Sequence, residues 1–234
     1  MSASYEILVP GNSLEWQGGF LGFANLTLVT TSQGLLLFDT GHYINRSALV
    51  AALRARDLVP SDIDKVFLSH IHFDHANNVD LFTKATIFLG KADWEYVQDP
   101  APDDLFVPWG IHEQLRKNRI ELLDHDTEIG GGLKALKLRG HTPGSMGLVF
   151  ESDRGDTVVI AGDAIKNINE VINGRQAEVE HRFPVAASLA DDEASIRRVI
   201  EIADRIIPGH FPELEKEHDT FTPVSTQRIT LEFT

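Results

Sequence analysis

The chain contains no cysteine among its 234 residues. Disulfide bonds, thiolate metal ligands and a cysteine nucleophile are therefore excluded, and a metal site would have to use nitrogen and oxygen ligands. Basic residues are also scarce, because 21 Lys and Arg stand against 35 Asp and Glu, which gives a formal net charge of −14. A negative field of this size repels polyphosphate, so we expect no nucleic-acid partner.

Long apolar runs are absent too. No segment approaches the roughly 18 apolar residues of a membrane-spanning helix, so we expect no membrane partner. No Lys or Arg precedes Arg46, and the charged start of a secretory signal peptide is therefore missing. We accordingly expect a cytoplasmic protein.

The composition is otherwise that of a globular protein, with 42% hydrophobic and 24% charged residues. The length suffices for a substantial core, and no repeat or linker-like segment interrupts the chain. We therefore interpret residues 1–234 as a single domain.

The order of predicted elements indicates the fold class. β-rich segments come first, then a helix, then further strands and a second helix, which predicts an α+β fold in which sheets pack together with helices outside. Residues 98–110 carry three prolines and predict a loop. Residues 164–187 give no clear pattern. The segments with the clearest signals are an antiparallel pair over 24–30 and 34–39, a helix over 46–56 capped by Asn45, a short buried strand over 65–69, a helix over 191–204 and a last edge strand over 229–233.

The strongest chemical signal is the run from His70 to His75, with the sequence HIHFDH. His70 and His72 are two residues apart, so in extended backbone they point the same way and can bind one ion together. Asp74 and His75 follow after a turn and can face a second ion. Imidazole and carboxylate groups together suit zinc, iron or manganese.

Three more ligand-type residues each follow a predicted strand and stand in a turn that contains glycine. His141 lies in GHTPGS, Asp163 in AGD and His210 in PGH. Glycine lets the backbone approach an ion closely, and loops at strand ends commonly carry function. With the first cluster, these residues complete two sets of ligands.

This series of motifs resembles the metallo-β-lactamase superfamily. The resemblance runs from Phe38 to His210 and fills all seven ligand positions of that family. It implies a four-layer αβ/βα sandwich with the site at one edge, between the two sheets. It also implies that His70, His72 and His141 hold a first metal, that Asp74, His75 and His210 hold a second, and that Asp163 bridges the two.

The resemblance also implies a supporting role for Asp39, which would orient a metal-binding histidine; a simple turn residue is the alternative. Two close cations lower the pKa of a shared water, so a metal-bridging hydroxide would attack the substrate and Asp74 would pass a proton to the leaving group. We expect two divalent ions, in the first place Zn²⁺, with iron or manganese as alternatives.

Small esters, lactones and thioesters are the expected substrates. Lactonases of the superfamily carry a tyrosine three residues after the bridging aspartate, and this chain has Lys166 there, whose ammonium group would bind an oxyanion or a carboxylate. His42 and His181 are weaker candidates for substrate binding. Trp94, Phe106 and Trp109 are candidates to line an apolar pocket beside the proline-rich loop.

Two other activities stay open at this point. A mononuclear iron oxygenase of the persulfide dioxygenase type would need only one set of ligands, so His75 and His210 would then have no direct role. A metallophosphodiesterase would use the same two metals on a small phosphodiester, which the charge of −14 does not exclude. From the resemblance alone we expect a homodimer.

Overall fold

The computed structural model describes residues 2–17, 19–175, 189–226 and 229. In these ranges the strands build two large sheets and one short ribbon. The strands are β1 Ser4–Val9, β2 Glu15–Trp16, β3 Gly19–Phe20, β4 Leu26–Thr31, β5 Gly34–Phe38, β6 Lys65–Phe67, β7 Thr86–Gly90, β8 Arg119–Leu123, β9 Thr127–Gly130, β10 Leu133–Lys137, β11 Met146–Glu151, β12 Thr157–Gly162, β13 Arg205–Pro208, β14 Leu214–Glu217 and β15 Thr220–Pro223.

The first sheet has the strand order β1-β4-β5-β6-β7-β8 within the described residues. The pairs β1–β4 and β4–β5 are antiparallel, whereas the strands from β5 to β8 run parallel to one another. Parallel strands need crossover connections, and the helices in those connections cover the outer face of the sheet. Helices of the described chain are α1 Arg46–Arg54, α2 Phe73–Ala76, α3 Lys91–Tyr96, α4 Ile111–Leu115, α5 Ile168–Asn173 and α6 Leu189–Ile202.

The second sheet has the order β15-β14-β13-β12-β11-β10-β9 in the same ranges. Only one of its described pairs, β12 with β13, is parallel, and α6 is part of the connection between those two strands. The carboxyl ends of β12 and β13 therefore lie at one edge of the sheet. This edge carries Asp163 and His210 in the two turns that follow.

Three buried apolar clusters define the layers. One fills the space between the sheets and includes Phe38 and Phe67, whose rings stack with centroids 5.2 Å apart, together with Leu148 and Ile160 from the second sheet. A second lies between the first sheet and its helices, and a third lies between the second sheet and α6. The predicted α+β sandwich with helices outside is therefore confirmed.

Several local expectations need correction. Asn45 precedes α1 as expected, but its side chain makes no capping hydrogen bond, and its backbone does not adopt the extended conformation of a capping residue. The segment 164–187 contains α5, which is too short to show a helical repeat in the sequence. Most of the expected edge strand over 229–233 lies outside the described residues. Within the described ranges, no helix is both long and apolar enough to cross a bilayer.

Candidate metal centre

Three imidazoles converge at the mouth between the two sheets. His70 and His72 follow β6, and His141 lies in the turn between β10 and β11. The Nδ1 atom of His72 lies 3.1 Å from Nε2 of His70 and 3.0 Å from Nε2 of His141. All three side chains are buried. We call this set the first trio.

A second set lies beside the first and contains one carboxylate. Oδ2 of Asp74 lies 3.6 Å from Nε2 of His75 and 3.3 Å from Nε2 of His210. Asp74 and His75 belong to α2, directly after the first two histidines, while His210 follows β13. We call Asp74, His75 and His210 the second trio; all three are buried.

Asp163 lies between the trios and faces each with a different oxygen. Its Oδ1 is 3.2 Å from Nε2 of His75 and 3.3 Å from Nε2 of His210. Its Oδ2 is 3.5 Å from Nε2 of His141. A carboxylate in this arrangement has one oxygen available to each of two neighbouring ions, which is the geometry that a bridging ligand requires.

The spacing of these atoms fits metal ions. Nitrogen ligands about 2.0–2.1 Å from a tetrahedral zinc ion are roughly 3.3 Å apart, and carboxylate oxygens at similar distances give similar separations. The distances within both trios lie close to that value, and the ligand atoms of each trio are all within 4.8 Å of one another. The donor set of imidazole nitrogens and carboxylate oxygens suits zinc, iron or manganese.

The two trios differ in their protonation. Burial lowers the pKa of His70 and His141 well below the ordinary value, and the neighbouring histidines lower the pKa of His70 further. Burial acts in the same direction on His75 and His210, but the carboxylates of Asp163 and Asp74 outweigh it and raise the pKa of both. His70 and His141 therefore favour the neutral form, whereas His75 and His210 hold protons more tightly than a free imidazole, and a cation must compete with those protons.

Asp39 lies behind the second trio, where it orients His75. Its Oδ2 lies 2.7 Å from Nδ1 of His75, and both of its oxygens accept hydrogen bonds from Ser69, the backbone N–H at 2.7 Å and the hydroxyl at 2.8 Å. Asp39 has φ 59°, a left-handed conformation that is uncommon outside glycine. Such strain persists where the surroundings require it, and here it directs the carboxylate at His75.

Ser69 extends this support to the first trio. With its hydroxyl hydrogen donated to Asp39, its Oγ can accept from Nδ1 of His70, which lies 2.9 Å away. Because that hydrogen bond fixes the proton of His70 on Nδ1, Nε2 keeps its lone pair for an ion. Motif reasoning identified Asp39 but not Ser69, which lies next to the ligands without being one.

Backbone groups and an amide hold His210. Nδ1 of His210 lies 3.0 Å from the carbonyl oxygen of Asn12 and 2.9 Å from that of Phe23. Asn25 donates from Nδ2 to the carbonyl oxygens of Pro208 and Phe211, at 2.7 and 2.8 Å, on either side of the histidine. Asn25, directly before β4, was not recognisable from sequence as a support of His210, because the two carbonyl oxygens to which it donates lie 183 and 186 residues away.

Asp104 supports His72 from the proline-rich loop. Its Oδ2 lies 3.6 Å from Nε2 of His72 and accepts a hydrogen bond from the hydroxyl of Tyr96 at 2.8 Å. Asp104 is buried although the residues around it are largely exposed. The sequence interpretation treated 98–110 only as a loop and missed this residue, since one of three nearby aspartates gives no signal of its own.

An aromatic wall lies beside the metal-binding residues. The rings of Phe73 and Phe106 stack with centroids 5.3 Å apart, and Phe20 meets both of them edge-on. Phe20 also packs against His210 at 5.8 Å and Phe106 against His72 at 5.5 Å. Each phenylalanine is partly exposed, so the wall offers apolar surface next to both trios. Of the three predicted pocket aromatics, only Phe106 lies here; Trp109 is fully exposed and Trp94 packs on His112.

The predicted substrate-binding residues fall into different places. The charge of Lys166 contributes to lowering the pKa of His141, and the carbonyl oxygen of Lys166 accepts from the backbone N–H of His210 at 2.9 Å. His42 is partly buried and packs against Phe73 at 5.0 Å; burial lowers its pKa, and the charge of Asp74 opposes that effect. His181 lies outside the described residues.

Comparison with known proteins agrees with this geometry. The sequence profile of the metallo-beta-lactamase superfamily matches residues 19–210. A metallo-beta-lactamase domain-containing protein 1 from Xenopus laevis is 28% identical over 213 residues, which cover 89% of this chain and 80% of that protein. This chain spans less of the mammalian proteins of the same name, between 63% and 66% of their length.

An N-acyl homoserine lactonase from a Bacillus species is 28% identical over 219 residues, covering 81% of each protein. Among solved structures, a probable metal-dependent hydrolase from Staphylococcus aureus superposes with a TM-score of 0.74 at 17% identity, covering 97% of this chain and 98% of the other. At that identity the likeness shows the fold alone.

Proposed function

Because the chain belongs to the metallo-β-lactamase superfamily, we propose that it is a dinuclear metal-dependent hydrolase that cleaves a small ester, lactone or thioester. The observation that supports this proposal is the position of Asp163, which faces the first trio with one carboxylate oxygen and the second trio with the other. A site for a single ion would need only one trio.

In this proposal His70, His72 and His141 hold one ion and Asp74, His75 and His210 hold the other. Two divalent ions, zinc in the first place, would supply Lewis acidity toward a carbonyl oxygen and lower the pKa of bound water so that hydroxide forms near neutral pH. Catalytic zinc sites keep a position open for water or substrate. Each trio supplies three protein ligands and Asp163 would add one oxygen to each ion, so the open position of each ion would be a fifth one.

The remaining roles belong to side chains around the trios. Asp74 is buried, and its carboxylate lies beside His75 and His210, from where it would take a proton and deliver it to the leaving group. The ammonium of Lys166 would stabilise negative charge on the substrate. Lys166 stands three residues after Asp163, where lactonases of the superfamily carry a tyrosine. The aromatic wall of Phe20, Phe73 and Phe106 would bind the apolar part of the substrate and exclude water from it.

Ester-type chemistry is favoured by the relatives and by charge. Three bacterial relatives with 25–28% identity are N-acyl homoserine lactonases. The net charge of −14 disfavours long polyanionic substrates. A small neutral acyl compound with an apolar group meets both conditions and fits the aromatic wall.

Metal analysis combined with a substrate panel tests the proposal. Purified protein should contain about two ions per chain, hydrolyse a γ-lactone or a thioester, lose activity after chelation and recover it with two equivalents of Zn²⁺. The His70→Ala variant should be inactive under the same conditions. One iron per chain with oxygen consumption on a persulfide would overturn the proposal in favour of an oxygenase, and turnover of bis-p-nitrophenyl phosphate alone would make the enzyme a phosphodiesterase.

A further inference from the structure

Asp93 is a fully buried carboxylate that the proposed mechanism does not use. It lies in the first turn of α3, next to the carboxyl end of β7. A buried carboxylate costs free energy unless hydrogen bonds compensate it. Burial raises the pKa of Asp93 to about 6, although several hydrogen bonds oppose the shift.

The hydrogen bonds to Asp93 come from two loops. Oδ1 accepts from the backbone N–H of Gly144 at 2.7 Å, and Oδ2 accepts from the hydroxyl of Thr142 at 3.0 Å. The backbone of Ile71 donates to the same carboxylate. Thr142 and Gly144 follow His141, and Ile71 lies between His70 and His72. The single carboxylate therefore joins the two loops that carry the first trio.

The same contact leaves no room for side chains. A Cβ on Gly90 would overlap the carbonyl oxygen of Gly144, and a Cβ on Gly144 would overlap the backbone nitrogen of Asp93. The turn that carries His141 thus rests directly on the start of α3. One further hydrogen bond, from the backbone N–H of Met146 to the carbonyl oxygen of Ser69 at 2.9 Å, fastens the end of this turn to the other loop.

The second trio is supported by other groups. His75 is oriented by Asp39, and His210 by the carbonyl oxygens of Asn12 and Phe23. The hydrogen bonds of Asp93 run instead to the segments that flank His70, His72 and His141. A change at Asp93 should therefore affect the two trios unequally.

We propose that Asp93 is a positioning residue that fixes the separation between His141 and the His70–His72 pair, and thereby sets the affinity of the first trio for its ion. The inference rests on the proposed function, in which this trio binds a metal. It assigns Asp93 no contact with substrate. Its effect passes through two loops to the ligand atoms.

The test measures Co²⁺ affinity in proteins that retain one trio each. His210→Ala leaves the first trio complete, and His141→Ala leaves the second. Adding Asp93→Ala to His210→Ala should weaken Co²⁺ binding by about ten- to a hundredfold, the usual effect of residues behind metal ligands, and alter the visible absorption of the bound ion. Adding it to His141→Ala should change the affinity by less than about twofold, well below that range.

Glu95→Ala is the matched control, because Glu95 lies two residues further along α3 and is exposed. It should leave both affinities unchanged. Asp93→Asn keeps the volume of the side chain but lacks one acceptor oxygen, so it should give a smaller loss at the first trio alone. Asp93→Asn is used in place of Asp93→Ala if circular dichroism shows that the alanine variant is unfolded.

Equal weakening in both backgrounds, or no weakening in the first, would overturn the inference. Failure of the proposed function would appear differently, as wild-type protein that binds one ion or hydrolyses none of the ester-type substrates. The Co²⁺ affinity of the His210→Ala protein tests Asp93 in either case.

Discussion

The two trios hold similar side chains at similar depth, yet their electrostatics are opposite. Burial lowers the pKa of His70 and His141 in the first trio. In the second trio the nearby carboxylates overcome burial and raise the pKa of His75 and His210. The difference shows that burial decides protonation where the attraction of nearby carboxylates is too weak to outweigh it. It also means that a cation meets weaker competition from protons at His70 and His141 than at His75 and His210.

Removing the shared carboxylate should have the largest effect. Asp163→Ala would remove the carboxylate oxygen that faces each trio. The two ions, whose charge would lower the activation barrier of hydrolysis, would then be held less firmly. We expect kcat/KM for the preferred ester or lactone to fall by at least about a thousandfold. Steady-state kinetics with metal analysis would check this, with the exposed Asp153→Ala as control. Activity within tenfold of wild type would show that Asp163 is no bridge.

The second-largest effect is expected in the pH dependence of metal affinity, which should differ between the two trios. Below their raised pKa values, His75 and His210 carry protons that an ion must displace, so affinity at the second trio rises with pH until those values are passed. For each displaced proton the metal affinity rises about tenfold per pH unit, and for two protons it rises up to about a hundredfold per pH unit.

Titration of His141→Ala and His210→Ala proteins with Co²⁺ between pH 6 and 8 measures the two dependences. The affinity of the first trio, in which burial lowers the pKa of His70 and His141, should change by less than about tenfold over this range, since few protons are displaced from these two residues. Equal slopes in the two proteins would contradict the proposed difference in protonation.

Asp39→Asn should weaken the second trio by about ten- to a hundredfold in metal affinity, because the amide cannot supply both acceptor oxygens to Ser69 and His75. Asparagine tolerates the left-handed backbone that Asp39 adopts, so the change isolates the hydrogen bonds. Asp57→Asn is the matched control, since Asp57 has φ 57° and is exposed. Metal titration of Asp39→Asn in the His141→Ala and His210→Ala proteins is the measurement. A loss confined to the first trio would reverse the assignment.

The smallest effect is expected at Lys166. The side chain of Lys166 is partly exposed, and its charge acts on His141. Water therefore screens the contribution of this charge to substrate binding. Lys166→Met should raise KM for an ester substrate by about two- to fivefold, the range of a screened charge interaction, with metal content unchanged. Lys84→Met, at an exposed position, is the control. A change in metal content would instead place Lys166 among the supports of His210.

The sequence motifs predicted all seven candidate ligands, because each motif is local and its spacing reflects the turn in which it lies. The α+β sandwich was also predictable from the order of elements. The supporting residues were harder to recognise from sequence: the partners of Asp93 in GHTPGS lie 49 and 51 residues away, and the two carbonyl acceptors of Asn25 lie 183 and 186 residues away. A side chain whose hydrogen bonds span such distances has no local signature, so only Asp39, which the family motif includes, was identified.

Both trios take ligands from both halves of the sandwich: the loop after β6 supplies His70 to His75, and the second sheet supplies His141, Asp163 and His210. An ion bound in either trio therefore cross-links the two sheets, much as a disulfide would in a chain that has none. If only the folded state binds the ion, an ion concentration of about a thousand times the Kd adds about 4 kcal/mol to the free energy of unfolding. Chelators should thus destabilise the sandwich as well as inactivate the enzyme. The concentration of available metal would set the free energy of unfolding of the protein.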